Sequence, residues 1–237
     1  MDLKNKIALV TGANGGLGEA IVKELLEKNI AKVYCGVRVK SSGEALTSLS
    51  DKIAVIELDL ADVKMLEKNL ADIENIDLLI NNAGVNSAKR VLENENSDFN
   101  INVNGTLKVT QLLAPKINKG GFIVNITSVL ALCNLPVMGL YCASKSALHS
   151  LTQALRAEMS LKEIQVLEVL PGPIDTKMTP GDAMPKASPK DIALETIKGI
   201  EADKEELYPD DFSKSIKEAL DNDPKGIEKQ FAQSVGA

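Results

Sequence analysis

The 237-residue chain has no tryptophan, one histidine and three cysteines, and aromatic residues make up only 3% of it. Cys35, Cys133 and Cys142 form an odd set without a CxxC spacing, which argues against a disulfide framework and against a zinc site. The single histidine, His149, cannot build a histidine-rich metal centre, and we expect it to be an ordinary helix residue without a catalytic task. We therefore predict no bound metal ion, and catalysis must use other side chains.

Long apolar runs and dense basic clusters are also missing. No stretch approaches the roughly 18 apolar residues of a membrane span, and the apolar run near the N-terminus is too short for a secretory signal. With 27 Lys and Arg against 33 Asp and Glu, the net charge is −6, which makes nucleic acid a poor candidate partner. A composition of 44% hydrophobic and 25% charged residues is typical of a globular protein. We predict a cytoplasmic protein that acts on a small molecule, with no membrane partner.

Short apolar runs alternate with helical patterns along the chain. Strands are expected over 6–11, 32–37, 53–58, 76–81, 121–126 and 165–170, and helices over 18–28, 63–73, 97–118 and 140–161. Strands that are nearly continuous in apolar residues and alternate with helices are typical of a parallel sheet covered on both faces. We predict a single α/β domain over residues 1–237, a doubly wound, Rossmann-type parallel sheet with helices on both faces.

The proline-rich segment 171–189 follows the sixth predicted strand, at the end of the sheet where ligands bind in such folds. It is too long for a tight connection, and we interpret it as a mobile substrate loop rather than a domain linker. Met178 and Met184 would give it an adaptable apolar surface, although Lys177 and Asp182 could also face inward. The apolar segment 129–140 would supply the opposite wall, which favours an uncharged, moderately apolar substrate.

The first strand is followed by the glycine-rich sequence TGANGGLG, residues 11–18. Gly12 permits a tight turn, Gly16 lets a pyrophosphate approach the backbone, and Gly18 lets the following helix pack close to the strand. The N-terminus of that helix offers unpaired N–H groups and a partial positive charge to phosphates. An ordinary glycine-containing turn is the alternative, but the position between strand and helix favours dinucleotide binding. We predict that this turn binds the cofactor through Gly12, Asn14, Gly16, Leu17 and Gly18.

The TGxxxGxG spacing resembles the short-chain dehydrogenase/reductase family, and further motifs follow in that family's order as far as Thr176. They are Asp59-Leu60, Asn81-Asn82-Ala83-Gly84, Asn102 before Gly105, Ser128, Tyr141-x-x-x-Lys145 and Pro171-Gly172-Pro173-Ile174-Asp175-Thr176. The resemblance implies a nicotinamide-dependent oxidoreductase. The C-terminal part departs from the family pattern because it has no glycine-rich closing segment. A short strand over 205–209 and a helical tail, with a last helix from Asp223-Pro224, are expected instead.

Tyr141 and Lys145 are spaced i and i+4, so they lie on one face of a helix, about one turn apart. A free tyrosine has a pKa near 10, too high for ready proton transfer at neutral pH, and a nearby ammonium should lower that pKa. Tyr141 is then a plausible general acid for reduction and general base for oxidation. An oxidised nicotinamide would act in the same direction.

The resemblance assigns three further catalytic roles. It implies that Ser128 hydrogen-bonds the substrate oxygen, that Lys145 also holds the nicotinamide ribose, and that Asn102, rather than Asn104, anchors a water of a proton relay. Taken singly, each residue has a surface or capping role as its alternative; together they favour catalysis.

The resemblance also implies cofactor contacts along the sheet edge. Asp59 would bind the adenine amine, although a turn or helix cap before Ala61-Asp62 is its alternative. The other implied contacts are Leu60 beside the adenine, Asn82, Ala83 and Gly84 at the adenosine ribose, Pro171, Gly172 and Ile174 at the nicotinamide, and Thr176 at the carboxamide.

The residue after the second predicted strand indicates which dinucleotide is preferred. Arg38 stands there, and no Asp or Glu occurs from 28 to 43. A guanidinium binds a 2′-phosphate, whereas a carboxylate would bind the free 2′-hydroxyl of NAD. Lys40, Ser41 and Ser42 could add donors, but Asn14 stands where a second basic residue is sometimes found. We predict NADP over NAD.

Our leading hypothesis is an NADP(H)-dependent oxidoreductase of the short-chain dehydrogenase/reductase type that acts on a carbonyl or secondary alcohol. The alternatives are an NAD-linked alcohol dehydrogenase of the same family and a non-catalytic dinucleotide-binding regulatory module. By resemblance, the two long helices would form the interface of a homodimer or homotetramer.

Overall fold

The computed structural model describes residues 1–181 and 185–236. Asp182 and Met184 of the predicted substrate loop lie outside the described residues. Among the described helices, none is both long and apolar enough to cross a bilayer.

Seven parallel strands form one sheet in the order β3-β2-β1-β4-β5-β6-β7. The strands are β1 Ile7–Thr11, β2 Lys32–Val37, β3 Ile53–Glu57, β4 Ile76–Asn81, β5 Ile117–Ile126, β6 Gln165–Val169 and β7 Glu206–Leu207. The chain first builds outward from β1 to β3 and then returns to place β4 on the other side of β1. In sheets of this kind the ligand crevice lies where the strand order reverses, which is here at the carboxyl ends of β1 and β4.

Helices cover both faces of the sheet. They are α1 Gly16–Glu27, α2 Glu44–Thr47, α3 Val63–Ala71, α4 Thr106–Leu113, α5 Gly139–Ser160, α6 Pro189–Glu201, α7 Asp211–Asn222 and α8 Pro224–Ala232. Successive residues of β1 point to opposite faces, so Ala8 and Val10 join one apolar core and Leu9 joins the other. The first core includes α1 and α6, and the second includes α3 and α4. The prediction of a doubly wound parallel α/β domain is confirmed.

Two local predictions were wrong. The helix expected over 97–118 is a π-helical turn Phe99–Gly105, then α4, then a 3₁₀ turn Ala114–Lys116. Strand β5 begins at Ile117 rather than at 121, because Ile117 pairs with Ile76 before an irregularity in register. The short α2, with a 3₁₀ turn Lys40–Gly43 before it, was not predicted.

Candidate active site

The glycine turn joins β1 to α1 at the switch point of the sheet. Gly12 has a φ of +64°, and a Cβ placed on it would lie 2.9 Å from the Cα of Ala83. A Cβ on Gly18 would clash with the carbonyl oxygen of Gly12, so a side chain is excluded there too. Helix α1 begins at Gly16 behind an N-cap, Gly15, that supplies no side-chain hydrogen bond. The first N–H groups of α1 are therefore available to a phosphate.

The Asn-Asn-Ala-Gly segment after β4 is fastened to this turn. The hydroxyl of Thr11 accepts the N–H groups of Asn82 and Ala83, each at 3.0 Å. The side-chain amide of Asn82 donates back to the carbonyls of Thr11 and Gly12, at 3.0 and 3.2 Å. These bonds fix the two edges of the crevice relative to each other.

Ser128, Tyr141 and Lys145 meet at the carboxyl end of β5. The Nζ atom of Lys145 lies 5.8 Å from the centre of the Tyr141 ring and donates to the carbonyl of Ile126 at 2.9 Å. Ser128 hydrogen-bonds Tyr141, and its hydroxyl accepts the N–H of Leu130 at 3.1 Å. The structure therefore brings together the three side chains that were predicted from their spacing along the chain.

The sequence predicted that Lys145 lowers the pKa of Tyr141, but in the structure that pKa is raised. Burial raises the pKa of Tyr141 to about 12, against a lowering contribution from the Ser128 hydrogen bond. Burial also lowers the pKa of Lys145 to about 8, while Glu168 and Asp98 act to raise it. Loss of water penalises both charged forms, and it is the largest contribution to each of the two shifts. In this structure the phenol therefore holds its proton, which suits a proton donor.

Asn102 is fully buried in the π-helical turn, whereas Asn104 is exposed. The Asn102 side chain accepts the N–H of Val85 at 2.8 Å and donates to the hydroxyl of Ser144 at 2.9 Å. Ser144 in turn donates to the carbonyl of Tyr141 at 2.7 Å. Ser144 was not singled out from the sequence, although it directly precedes Lys145. It links the π-helical turn to the first turn of α5.

Gly84 lies between Asn102 and Lys145. A Cβ on it would lie 3.1 Å from Oδ1 of Asn102 and 3.5 Å from Nζ of Lys145. The end of the Asn-Asn-Ala-Gly segment therefore adjoins the Tyr–Lys pair.

The region predicted to bind the adenosine half lies beyond β2 and β3. Arg38 is exposed directly after β2, and Leu60 is buried. Asn14 donates to the hydroxyl of Ser42 at 2.9 Å, which joins the glycine turn to the segment after β2. Asp59 accepts the N–H of Ala61 at 3.0 Å, the turn contact that was its alternative role, while Asp62 caps α3. Leu17 is buried in the first turn of α1.

The segment after β6 lies beside the same crevice. The carbonyl of Pro171 accepts the N–H of Val129 at 2.9 Å, next to Ser128. Ile174 pairs with Ala187 in an isolated bridge, so the two limbs of the predicted substrate loop run side by side there. Thr176 approaches the glycine turn, since a Cβ on Gly16 would lie 2.9 Å from its Cγ2.

The C-terminal tail packs against this region, a contact that was not expected from the sequence. The N–H of Gly172 donates to Asp210, which also caps α7. Helix α7 lies against the 3₁₀ turn Val129–Ala131, and the 3₁₀ turn Gln233–Gly236 lies against Pro136–Met138. The tail therefore covers part of the apolar segment 129–140.

Glu168 was also missed, although a glutamate inside an apolar strand sequence is a visible signal. It is fully buried on β6 and is paired with Nδ1 of His149 at 2.8 Å. His149 is thus tied to the sheet one helical turn beyond Lys145.

Residues 6–185 match the family model described as short chain dehydrogenase. An uncharacterized oxidoreductase of Staphylococcus saprophyticus is 31% identical over 219 residues, 85% of this chain and 93% of that protein. A 3-oxoacyl-[acyl-carrier-protein] reductase of Rickettsia bellii is 30% identical over 185 residues, 76% of this chain and 77% of its own length.

Solved structures show the same similarity. A short chain dehydrogenase from Burkholderia cenocepacia in complex with NADP has a TM-score of 0.90 at 31% identity, covering 98% of this chain and 99% of that one. A short chain dehydrogenase/reductase from Burkholderia phymatum in complex with NAD has a TM-score of 0.83 at 21% identity, and the match covers 95% of this chain and 96% of that one. The second likeness concerns the fold alone.

Proposed function

The chain belongs to the short-chain dehydrogenase/reductase family of oxidoreductases, and we propose that it is an NADP(H)-dependent enzyme that interconverts a carbonyl compound and a secondary alcohol. The observation that carries the proposal is the meeting of Ser128, Tyr141 and Lys145 beside the glycine turn. A regulatory module that only bound a dinucleotide would have no use for this arrangement.

The residues of the crevice fit a nicotinamide dinucleotide. The uncapped N-terminus of α1 would hold the pyrophosphate above Gly16, with Gly12, Asn14, Leu17 and Gly18 shaping the turn. The adenosine half would lie along Asp59, Leu60, Asn82, Ala83 and Gly84. The nicotinamide half would lie along Pro171, Gly172, Ile174 and Thr176. When bound, the dinucleotide supplies the hydride that is exchanged with the substrate carbon.

In the reduction, Tyr141 donates its phenolic proton to the substrate oxygen as negative charge develops there. Ser128 donates a hydrogen bond to the same oxygen and holds it within reach of Tyr141. Lys145 stabilises the developing phenolate and binds the ribose hydroxyls of the nicotinamide half, while Asn102 supports the relay through which Tyr141 regains its proton. The raised pKa of Tyr141, about 12, keeps the phenol protonated and neutral before each reduction.

The preference for NADP rests on the segment after β2. Arg38 is exposed, and the hydroxyl of Ser42 is brought next to the glycine turn by Asn14. A guanidinium and hydroxyl donors suit a 2′-phosphate better than a free 2′-hydroxyl. The cofactor-bound relative from Burkholderia cenocepacia, which holds NADP at 31% identity, supports the same choice.

The substrate is expected to be uncharged and moderately apolar. Leu130, Leu135 and Met138 in the segment after Ser128 are partly buried, and the C-terminal tail covers Pro136–Met138. The segment 171–189 would close over the opposite side as a substrate loop.

The decisive experiment compares wild type with Tyr141→Phe on a panel of aldehydes and ketones, with NADPH and with NADH. We expect turnover with NADPH, and a fall in kcat of about 10² to 10⁴-fold in the variant with little change in NADPH affinity. Tyr34→Phe is the matched control, since Tyr34 lies on β2 and bonds Lys32 instead. Full activity of Tyr141→Phe would refute the assignment, and faster turnover with NADH would favour an NAD-linked alcohol dehydrogenase. Inactivity of the wild type on the whole panel would favour a binding module.

We also propose that the protein is a homodimer or homotetramer built through α4 and α5. An apolar groove of about 240 Å³ runs between these helices, and Leu107, Leu151 and Leu155 line it. A second copy of the same helix pair would cover it. Light scattering after gel filtration should give a multiple of the 25.4 kDa chain mass and a monomer for Leu151→Arg. A monomeric wild type would contradict the proposal.

A further inference from the structure

Glu168 is a fully buried carboxylate whose two oxygens both have partners. The hydroxyl of Thr127 donates to Oε1 at 2.7 Å, and Nδ1 of His149 lies 2.8 Å from Oε2. Burying a carboxylate in a strand is costly unless its oxygens are hydrogen-bonded. The mechanism above gives this group no role.

The two partners of Glu168 belong to the elements that carry the catalytic side chains. Thr127 lies between Ile126, whose carbonyl accepts Nζ of Lys145 at 2.9 Å, and Ser128. His149 follows Lys145 by one helical turn on α5. Glu168 therefore connects the carboxyl end of β5 to α5 at the level of Lys145.

The hydrogen-bond pattern fits an acceptor role for both oxygens of Glu168. Nε2 of His149 lies 3.1 Å from the side-chain nitrogen of Gln153, which can only donate. In this orientation of the amide, Nε2 accepts and Nδ1 carries the ring proton. Glu168 then accepts two hydrogen bonds, one from Thr127 and one from His149.

We propose that Glu168 is a positioning residue for Lys145, because the hydrogen bonds that it accepts from Thr127 and His149 fasten α5 to the end of β5 at the level of that lysine. The inference rests on the proposed function, because it assigns Glu168 to the same site.

The other groups around Lys145 are consistent with this role. Asp98, before the π-helical turn, also acts to raise the pKa of Lys145, and both oxygens of Asp98 accept hydrogen bonds from Ser87, as those of Glu168 do from Thr127 and His149. Tyr141 on the same helix is a neutral phenol at neutral pH, since its pKa is raised. Burial alone lowers the pKa of Lys145, and Glu168 is the larger of the two carboxylate contributions that oppose it.

The test is Glu168→Gln, which keeps the size of the side chain and an acceptor for Thr127. Protein labelled with ¹³C at lysine Cε reports the titration of Lys145 by NMR, with Lys145→Arg identifying its signal. We expect the Lys145 titration to move to lower pH by about one unit, the scale of a single charge in a partly screened interior. The alkaline limb of kcat/KM for carbonyl reduction at saturating NADPH should move by the same amount. Glu163→Gln is the control, since Glu163 is exposed and pairs with Lys119.

Two outcomes separate this inference from the proposed function. An unmoved Lys145 titration in Glu168→Gln, with circular dichroism showing folded protein, would overturn the inference whatever the activity. If the Lys145 titration moves in Glu168→Gln but the wild type shows no turnover, the link from Glu168 to Lys145 stands and the proposed function is refuted instead.

The contribution of His149 has its own pair of variants. His149→Asn keeps a donor for Glu168, so Lys145 should titrate in this variant as it does in the wild type. His149→Ala removes the donor and should move the Lys145 titration toward that of Glu168→Gln. Equal behaviour of both variants and wild type would exclude His149 from the role.

Discussion

The backbone N–H of Gly172 donates to Oδ2 of Asp210 at 2.8 Å, which joins the segment after β6 to the start of α7. The other carboxylate oxygen of Asp210 accepts the N–H of Ser213, also at 2.8 Å, as the N-cap of the helix. Phe212 packs closely on Gly172: a Cβ added to Gly172 would lie 2.7 Å from Cδ1 of Phe212. A single side chain thus stabilises the C-terminal tail and fixes the segment expected to border the nicotinamide.

Asp210→Ala should therefore affect both stability and catalysis. Loss of the cap should lower the free energy of unfolding by about 1 to 2 kcal/mol, measured by urea denaturation. The KM for the dinucleotide should rise as well, because the N–H of Gly172 loses its anchor. Asp223→Ala is the matched control: Asp223 caps α8 through the N–H of Gly226 and makes no hydrogen bond to those residues of the segment after β6 that the structure describes. Equal KM values in the two variants would contradict this dual role.

Local sequence patterns predicted most of the fold. The spacing of Ser128, Tyr141 and Lys145 along the chain also predicted that their side chains lie close together. The i, i+4 spacing of Tyr141 and Lys145 needs only a helix, and the strand–glycine turn–helix order needs only local sequence. The partners that came from distant parts of the chain were not predictable in this way. Asp210 reaches Gly172 across 38 residues, and Glu168 reaches Thr127 across 41. The direction of the Tyr141 pKa was also wrong, because burial is a property of the whole fold and not of the spacing.

Arg38→Ala tests the choice of dinucleotide. If the guanidinium binds the 2′-phosphate, the Kd for NADPH should rise about tenfold to a hundredfold, the effect of one charge-assisted hydrogen-bond partner. The Kd for NADH should change little, since it has no phosphate at that position. Lys64→Ala removes an exposed charge at the start of α3 and serves as the control. The same loss of affinity for both dinucleotides would exclude a role for Arg38 in discrimination.

Gly16→Ala and Gly18→Ala separate binding from folding within one turn. A methyl group at Gly18 meets the backbone oxygen of Gly12, so this variant should lose about 2 kcal/mol or more of stability. A methyl group at Gly16 meets the side chain of Thr176, which can move. Gly16→Ala should therefore unfold near the wild-type midpoint but bind NADPH at least tenfold more weakly, because the methyl group lies where the phosphates approach. Thermal melts and fluorescence titrations would distinguish the two, and wild-type affinity in Gly16→Ala would contradict the phosphate site.

Lys145→Met tests the cost of burying the ammonium. The pKa of Lys145 is about 8 in the folded protein, below its ordinary value near 10.4, so between these values the unfolded chain binds more protons than the folded one. The stability of the wild type must therefore increase with pH across this window, relative to a variant without the amine. We expect that gain to be about 2 kcal/mol between pH 7 and pH 10, measured by urea unfolding of both proteins at each pH.

Tyr141 does not disturb this comparison, because both proteins contain it and its ionisation contributes to the unfolding of each. Lys64→Met, at an exposed position, controls for the general loss of a lysine. A difference between wild type and Lys145→Met that stayed constant from pH 7 to pH 10 would mean that the folded protein does not depress the Lys145 pKa. The ammonium would then be stabilised fully by its surroundings, and the burial of Lys145 would impose no pH limit on the proposed reduction.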